Sequence, residues 1–387
     1  MTSRRAPTDT DVRTGQAGQE AAVSGATGED ASRVDASRVE ASRVDPAEAM
    51  RDRARGALVG LAIGDALGMP TQSLSRRRVA ALFGELPGFA AGPAENPLSA
   101  GQPAGQVTDD TVQAVIVARI LVEGRGHVDG EQLINVLADW EDAQIRAGAV
   151  DRLGPSTRLA VRQFRRYGVL DGSAGDTNGA AMRVAPIGIV CACDPIDQLV
   201  ERVLEADRPT HDTRSAHSGA AAVAAAVSAG IAGVPEDQIL AMALLAVDKA
   251  ARHGTHTPGA DVGARIAWAC GLVRAAAEPL DVIDLLVGTS SATQESVPAA
   301  FAIADLYDDP WSAARAAARL GGDADTIAAM AGAMVGARAG FSAIPETAYE
   351  QLVAVNPELD LIGLADELLE LRPPERFARP AVPRGLS

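Results

Sequence analysis

Aromatic side chains are the scarcest class here, 3% of the chain, although apolar residues as a whole make up 47%. The core must therefore be built from Ala, Val, Leu and Ile. That suits closely packed helices better than an aromatic-rich β-sandwich. Cysteine is nearly absent. Cys191, Cys193 and Cys270 are odd in number, and Cys191-Ala192-Cys193 is too tight for a zinc site and has no matching pair. They read as thiols in a reducing cytoplasm, so a cytoplasmic location is expected. Positive charge is in deficit, with a formal net charge of −16. Such a surface repels nucleic-acid backbone and anionic membrane, and neither is expected as a partner. A phosphorylated substrate is repelled too, unless metal ions or backbone N–H groups counter the charge locally. No apolar run reaches the ~18 residues of a membrane span. The N-terminus lacks the apolar core of a secretory signal.

Residues 1–48 are rich in Ala, Ser, Thr, Gly, Asp and Arg, with almost no large apolar side chain, and are expected to be a disordered tail. Ala31 to Asp45 reads ASRVD-ASRVE-ASRVD, a five-residue unit with one valine per copy. It reads as a solvated spacer, or alternatively as a docking tail for an unknown partner. A proline-rich second tail is expected at 373–387. Between them, 49–372 is expected to be one all-α domain. Long Ala/Leu/Val-rich segments at 112–123, 131–140, 219–230, 238–252, 262–277 and 327–340 predict helices. Two glycine ladders run through the chain, Gly56/Gly60/Gly64/Gly68 and Gly332/Gly336/Gly340. Each glycine inside a helix costs ~1 kcal/mol against alanine. Close backbone approach of neighbouring helices is the simplest compensation, with approach of a ligand the alternative at the Gly64–Gly68 end.

Two acidic motifs each stand directly before an apolar helix. They are Thr108-Asp109-Asp110-Thr111 and Gly321-Gly322-Asp323-Ala324-Asp325-Thr326. Helix capping accounts for either one alone. It does not require two carboxylates and a threonine at both. Four carboxylates and hydroxyls form an oxygen-only donor set of the kind Mg²⁺ and Mn²⁺ prefer. Two such ions would neutralise the repulsion, clamp a substrate and activate a water. The segment Gly175 to Arg183 reads as a loop whose N–H groups hold a diphosphate, or as an ordinary turn. His211, in Thr210-His211-Asp212-Thr213, reads as a ligand contact or as part of a cap.

Taken together, these segments resemble the ADP-ribosylglycohydrolase superfamily, including its dinitrogenase-reductase-activating members. The likeness starts at Gly56–Gly68 (GALVGLAIGDALG) and continues through TDDT at 108–111, DTNGAAMR at 176–183 and TH at 210–211. It closes on GGDADT at 321–326. Gly154-Pro155-Ser156-Thr157 and Gln294 to Pro298 resemble a bacterial branch associated with nucleoside metabolism. The resemblance implies a compact orthogonal helical bundle with two Mg²⁺, in some members Mn²⁺, at the base of a cleft. It assigns Thr108, Asp109, Asp110, Asp323, Asp325 and Thr326 to the metals, with the four aspartates also serving catalysis. Asn178, Gly179 and His211 then contact the ligand, and Asp65 is structural. One position departs from the pattern. Relatives carry a glutamate on a mobile loop where this chain has Gln72, which lines the cleft but can neither carry charge nor act as a general base.

The expected activity is metal-dependent hydrolysis of the glycosidic bond joining ADP-ribose to a protein side chain or small-molecule carrier. Backbone N–H groups near Gly175–Ala180 would hold the diphosphate. The alternatives are a hydrolase of smaller ribosyl or nucleoside compounds, and a non-catalytic ADP-ribose-binding protein of the same fold.

Overall fold

The structure, a computed structural model, describes residues 45–149 and 153–374, and within them the chain forms seventeen α-helices and no strand. They are α1 (Pro46–Gly68), α2 (Arg76–Phe83), α3 (Asp109–Glu123), α4 (Gly130–Ala147), α5 (Pro155–Tyr167) and α6 (Gly179–Met182). Next come α7 (Ala185–Val190), α8 (Ile196–Asp207), α9 (Arg214–Ile231), α10 (Glu236–Ala250), α11 (Val262–Ala275) and α12 (Pro279–Val282), the last continuing into a π turn at Ile283–Val287. The chain closes with α13 (Thr293–Ala304), α14 (Pro310–Ala318), α15 (Ala324–Ala339), α16 (Glu346–Val355) and α17 (Leu361–Glu370). Isolated bridges, Ser75 with Gly321 and Thr177 with Ala292, tie loops together.

The all-α expectation holds, and all six helices expected from apolar runs are present as α3, α4, α9, α10, α11 and α15. Helix α4 runs on past the apolar stretch to Ala147, where Gly148 takes a left-handed φ of 69° and ends it. The expected tails fall largely outside the described residues. The N-terminal boundary at 48 is three residues late: Asp45 accepts from the Ala47 N–H at 3.0 Å and Pro46 opens α1. Among the described residues no helix is long and apolar enough to cross a membrane.

Helices α1 and α15 meet backbone to backbone through the two glycine ladders. A methyl group at Gly60 would sit 2.3 Å from the Gly332 carbonyl oxygen; one at Gly64 would sit 2.0 Å from that of Ala328. The contact runs antiparallel, from Gly56 beside Gly336 to Gly68 beside Asp325. Close contacts of Cα–H groups with carbonyls offset the helix-propensity cost of the glycines. Helix α9 is buried along almost its whole length, and its Ala/Val composition lets neighbours approach on all sides.

That pairing positions the acidic motifs. Helix α15 starts beside the C-terminal end of α1. Asp65, on the last turns of α1, receives the start of α3: it accepts from the N–H groups of Thr108 and Thr111 and from both their hydroxyls, at 2.5–3.1 Å. Two helix N-termini, each with its positive dipole end, thus open beside one another.

Candidate active site

A cleft of about 320 Å³ lies at these two helix starts. Of the ten residues expected at a site, eight line it: Gln72, Asp109, Asp110, Asn178, Gly179, Asp323, Asp325 and Thr326. Thr108 and His211 do not. A larger cavity of about 620 Å³ lies elsewhere, but its arginines Arg274 and Arg338 are committed to Asp305 and Glu236.

The arrangement at the start of α3 explains why its motif has a threonine at each end. Both hydroxyls are spent on Asp65, which caps the helix from outside; Thr108 makes no cap bond of its own. The Thr108 hydroxyl lies 2.7 Å from Asp65 Oδ1 and 3.2 Å from Asp110 Oδ2, so it steadies two carboxylates instead of facing the cleft. Asp109 and Asp110 are left to the cleft. Asp109 accepts from Gln113 Nε2 at 2.7 Å, one helical turn on. Asp110 is buried, and its Oδ1 has no hydrogen-bond partner.

The second motif is built by its glycines. Gly321 and Gly322 have φ of 70° and 66°, and a side chain at Gly322 would strike Thr289. Gly322 exchanges backbone hydrogen bonds with Ser73 and Leu74, which pins the turn carrying Gln72. Asn96 pins it again through the Gln72 carbonyl at 2.7 Å. Here the turn is fastened on both sides. Asn178 spends both amide hydrogens within the protein, on Asp323 Oδ2 and Ser296 Oγ. It therefore orients a carboxylate.

Two N–H groups of the expected diphosphate cradle at Gly175–Ala180 are taken up within the protein. The N–H groups of Gly175 and Asn178 donate to the carbonyls of Gly172 and Ser291. Gly175 itself lies against Thr210, where a methyl group would be 2.1 Å from the carbonyl oxygen. The loop is a packed joint. His211 sits behind it, fully buried, with Nε2 at 3.2 Å from Thr177 Oγ1 and Nδ1 at 2.8 Å from Thr210 Oγ1. Burial, with Arg183 nearby, holds its pKa well below the ordinary value, so the ring is neutral. It leaves no room for a side chain at Gly179, whose Cβ would lie 2.8 Å from the ring.

Electrostatically the cleft floor is strained. Burial first, then the charges of Asp65, Asp109 and Asp323, push the pKa of Asp110 well above the usual carboxylate range. Burial, then Asp110 and Asp323, do the same for Asp325. At Asp323 burial raises the pKa, while hydrogen bonds from Asn178 and Thr326 oppose the rise. A cation is the simplest relief. The donor set fits a hard ion: oxygens only, one of them a buried carboxylate oxygen without a partner. The carboxylates are not gathered into a finished shell, however. Among the described residues no three His, Cys, Asp or Glu are close enough together to hold a metal.

A buried layer behind the acids was not read from the sequence. Arg183 is almost wholly enclosed, and burial lowers its pKa to about 10. It donates to Gln113 Oε1 at 2.9 Å and Thr210 Oγ1 at 2.6 Å. Gln113 then passes the contact to Asp109. The four-residue spacing of Asp109 and Gln113 was the one visible signal. His217 bridges Asp207 and Asp212 at 3.1 and 2.9 Å.

A family model described as ADP-ribosylglycohydrolase matches residues 46–376. The chain is 36% identical over 334 residues to the uncharacterized protein YegU of Escherichia coli K12, covering 83% of this chain and 97% of that one. It is 30% identical over 174 residues to the ADP-ribosyl-(dinitrogen reductase) glycohydrolase of Rhodospirillum rubrum, 42% of this chain and 53% of that one. A solved structure of an ADP-ribosylglycohydrolase-related protein complex matches with a TM-score of 0.61 at 25% identity, over 84% of this chain and 99% of that chain.

Proposed function

From the premise that the chain belongs to the ADP-ribosylglycohydrolase family, we propose that it hydrolyses the glycosidic bond of ADP-ribosyl or smaller ribosyl compounds with Mg²⁺ or Mn²⁺. The observation that carries this reading is the convergence of four carboxylates from two helix starts on one cleft, one of them with a buried oxygen left unpaired. Asp109, Asp110, Asp323, Asp325 and Thr326 would hold the ions. When bound, the ions supply positive charge for ribose hydroxyls and activate a water.

The chain's own residues do the rest. Glycosidic cleavage passes through an oxocarbenium-like state, which nearby carboxylates stabilise. A carboxylate of the Asp109/Asp110 or Asp323/Asp325 set takes the proton of the attacking water. Gln113 and Asn178 fix two of those carboxylates, so little reorganisation accompanies the reaction. Gln72, on its pinned turn, shapes the cleft without carrying charge. At about 320 Å³ the cleft is near the lower end of the roughly 300–1,000 Å³ usual for ligand sites. That favours a compact ribosyl substrate as the second reading.

The test is a panel of ADP-ribosyl-arginine, ADP-ribosyl-serine, O-acetyl-ADP-ribose and nucleosides, each run with Mg²⁺, Mn²⁺ and chelator. Turnover of at least one compound, lost in chelator and in Asp110→Asn, is expected. A wild-type protein inert on all of them with either metal sinks the proposal. In the same assay Gln72→Glu should leave turnover unchanged or lower it; a tenfold rise would favour a binding role for the native protein.

A further inference from the structure

The chain carries a formal net charge of −16, yet residues 153–170 contain four arginines and no carboxylate. Arg158, Arg162, Arg165 and Arg166 all belong to α5. Complementing the helix dipole accounts for Arg165 and Arg166, which stand in the last turn, but not for Arg158 and Arg162. Arg165 is spent on Asp142 of α4, at 2.5 Å, and on the Ala138 carbonyl. Arg162 and Arg166 have no ion-pair partner among the described residues, whereas Arg76 and Arg78 of α2 are each held by a carboxylate. Glu141 of α4 and Asp171 beyond the helix accept from the N–H groups of Leu153 and Ser173.

The outer face of α5 is apolar as well as basic. The helix buries Ser156, Thr157, Ala160 and Val161, and leaves Leu159, Arg162 and Arg166 exposed at three- and four-residue spacing. Tyr167 follows, 66% exposed, with the Arg166 guanidinium 5.3 Å from its ring centre. Val169 and Leu170 are exposed too. Single exposed apolar side chains are ordinary, but a run of them interleaved with arginine is not. Tyrosine and arginine together are the composition of protein–protein contact centres. The face is also well placed. Pro155, Thr157 and Arg158 line the cleft, and the later residues of α5 do not. Ser156 accepts from Thr177 Oγ1 at 2.9 Å, which joins the start of α5 to the loop holding Asn178. A helix of 13 residues, about 20 Å long, thus begins at the cleft and runs on from it. A long polyanion such as nucleic acid, or a membrane, would extend past α5 onto the acidic remainder of the surface. A protein can present acidic and apolar groups together over a patch of this size.

We propose that the outer face of α5, through Leu159, Arg162, Arg166 and Tyr167, is a docking surface for the protein that carries the ribosyl group, and that it selects carriers whose modified side chain is bordered by acidic and apolar residues. This rests on the ribosyl-hydrolase reading above and narrows it to a macromolecular substrate of stated surface chemistry. The arginines supply attraction and register, and Tyr167 with its apolar neighbours supplies buried area.

The full-length protein, with saturating Mg²⁺, is titrated by fluorescence anisotropy with two short peptides, each carrying one ADP-ribosylated arginine. In one the modified residue is flanked by Glu and Leu, in the other by Lys and Ser. Free ADP-ribose is the control. Wild type should bind the acidic peptide at least tenfold more tightly than the basic one, and the margin should shrink as salt is raised. Arg162→Ala with Arg166→Ala should bring the two peptides within threefold and leave ADP-ribose unchanged, while Lys at both positions should keep most of the margin. Tyr167→Ala should weaken the acidic peptide at low and high salt alike. These side chains are exposed, so the variants should melt with the wild type. The proposal is overturned if wild type binds both peptides within twofold, or if the double Ala variant keeps a tenfold margin. It is overturned too if the arginine pair governs self-association in sedimentation, or binding of an RNA oligomer or phosphatidylserine vesicles, while the two peptides bind alike. Turnover of free ADP-ribosyl-arginine with no preference for either flank would remove the docking face and keep the hydrolase. A flank preference that depends on Arg162 and Arg166, with no compound turned over, would keep the face and remove the hydrolase.

Discussion

Gln113 stands between two neighbours of opposite capability. Arg183 can only donate and an ionised Asp109 can only accept, so the amide has one orientation: Oε1 to the arginine and Nε2 to the carboxylate. Gln113→Leu should leave a buried guanidinium short of an acceptor and let Asp109 turn. A stability loss of ~1–3 kcal/mol is expected, with Mg²⁺ binding weaker by ~10–100-fold. Urea melts and a Mg²⁺ titration check both, and unaltered Mg²⁺ binding would dismiss the orienting role. His217 offers a pH test. Burial lowers the pKa of its ring, but hydrogen bonds and charge from Asp207 and Asp212 outweigh that and hold it above the ordinary histidine value. The folded state therefore binds this proton more tightly than the unfolded chain does. The resulting stability is complete below the ordinary histidine pKa and is lost as pH rises through the raised one. Arg183 lies near Asp207 and the neutral His211 nearby. At saturating Mg²⁺, wild type should lose melting temperature from pH 6.5 upward more steeply than His217→Gln; parallel curves would dismiss the assignment.

At the scale of the helices, the glycines separate two kinds of position. Gly60→Ala gains helix propensity yet drives a methyl group into the Gly332 carbonyl, and a net loss of ~1–3 kcal/mol is expected. Gly271, in α11, has open space around it, and Gly271→Ala should stabilise by up to ~1 kcal/mol. Thermal melts of the two variants must move in opposite directions for this account of α1 and α15 to stand. The ladders were legible because a four-residue glycine period has few other uses. Helices α5 and α8 were not, since their charged residues break the apolar run; what α5 buries includes Thr157 and Ser156, the latter accepting a hydrogen bond from Thr177 of another loop. The cap that Asp65 provides lies 43 residues from Thr108 in sequence. Local patterning showed that the aspartates at α3 exceeded what a cap needs, but not that the cap came from another helix. His211 read as a ligand contact because the sequence cannot distinguish a residue facing a cleft from one filling the space behind a glycine.

For the molecule as a whole, the acidic floor is a liability that binding can remove. Asp110 and Asp325 are raised by burial and by neighbouring carboxylates, so cations that bind only the folded form should stabilise it by mass action, about 2.7 kcal/mol at a hundredfold excess over Kd. Chelator-stripped protein should melt higher with Mg²⁺ or Mn²⁺, and the gain should shrink in Asp109→Ala and Asp325→Ala. No gain with either ion would leave the family likeness without its chemistry. The backbone contact of α1 with α15 has a consequence for divergence. Helices separated by side chains slide in small steps as rotamers adjust; two in glycine-to-carbonyl contact have no such slack. The spacing between the two acidic motifs is thus the part of this protein least free to drift. New selectivity can be acquired by altering the α5 wall alone, one surface residue at a time, while the reactive floor is inherited intact.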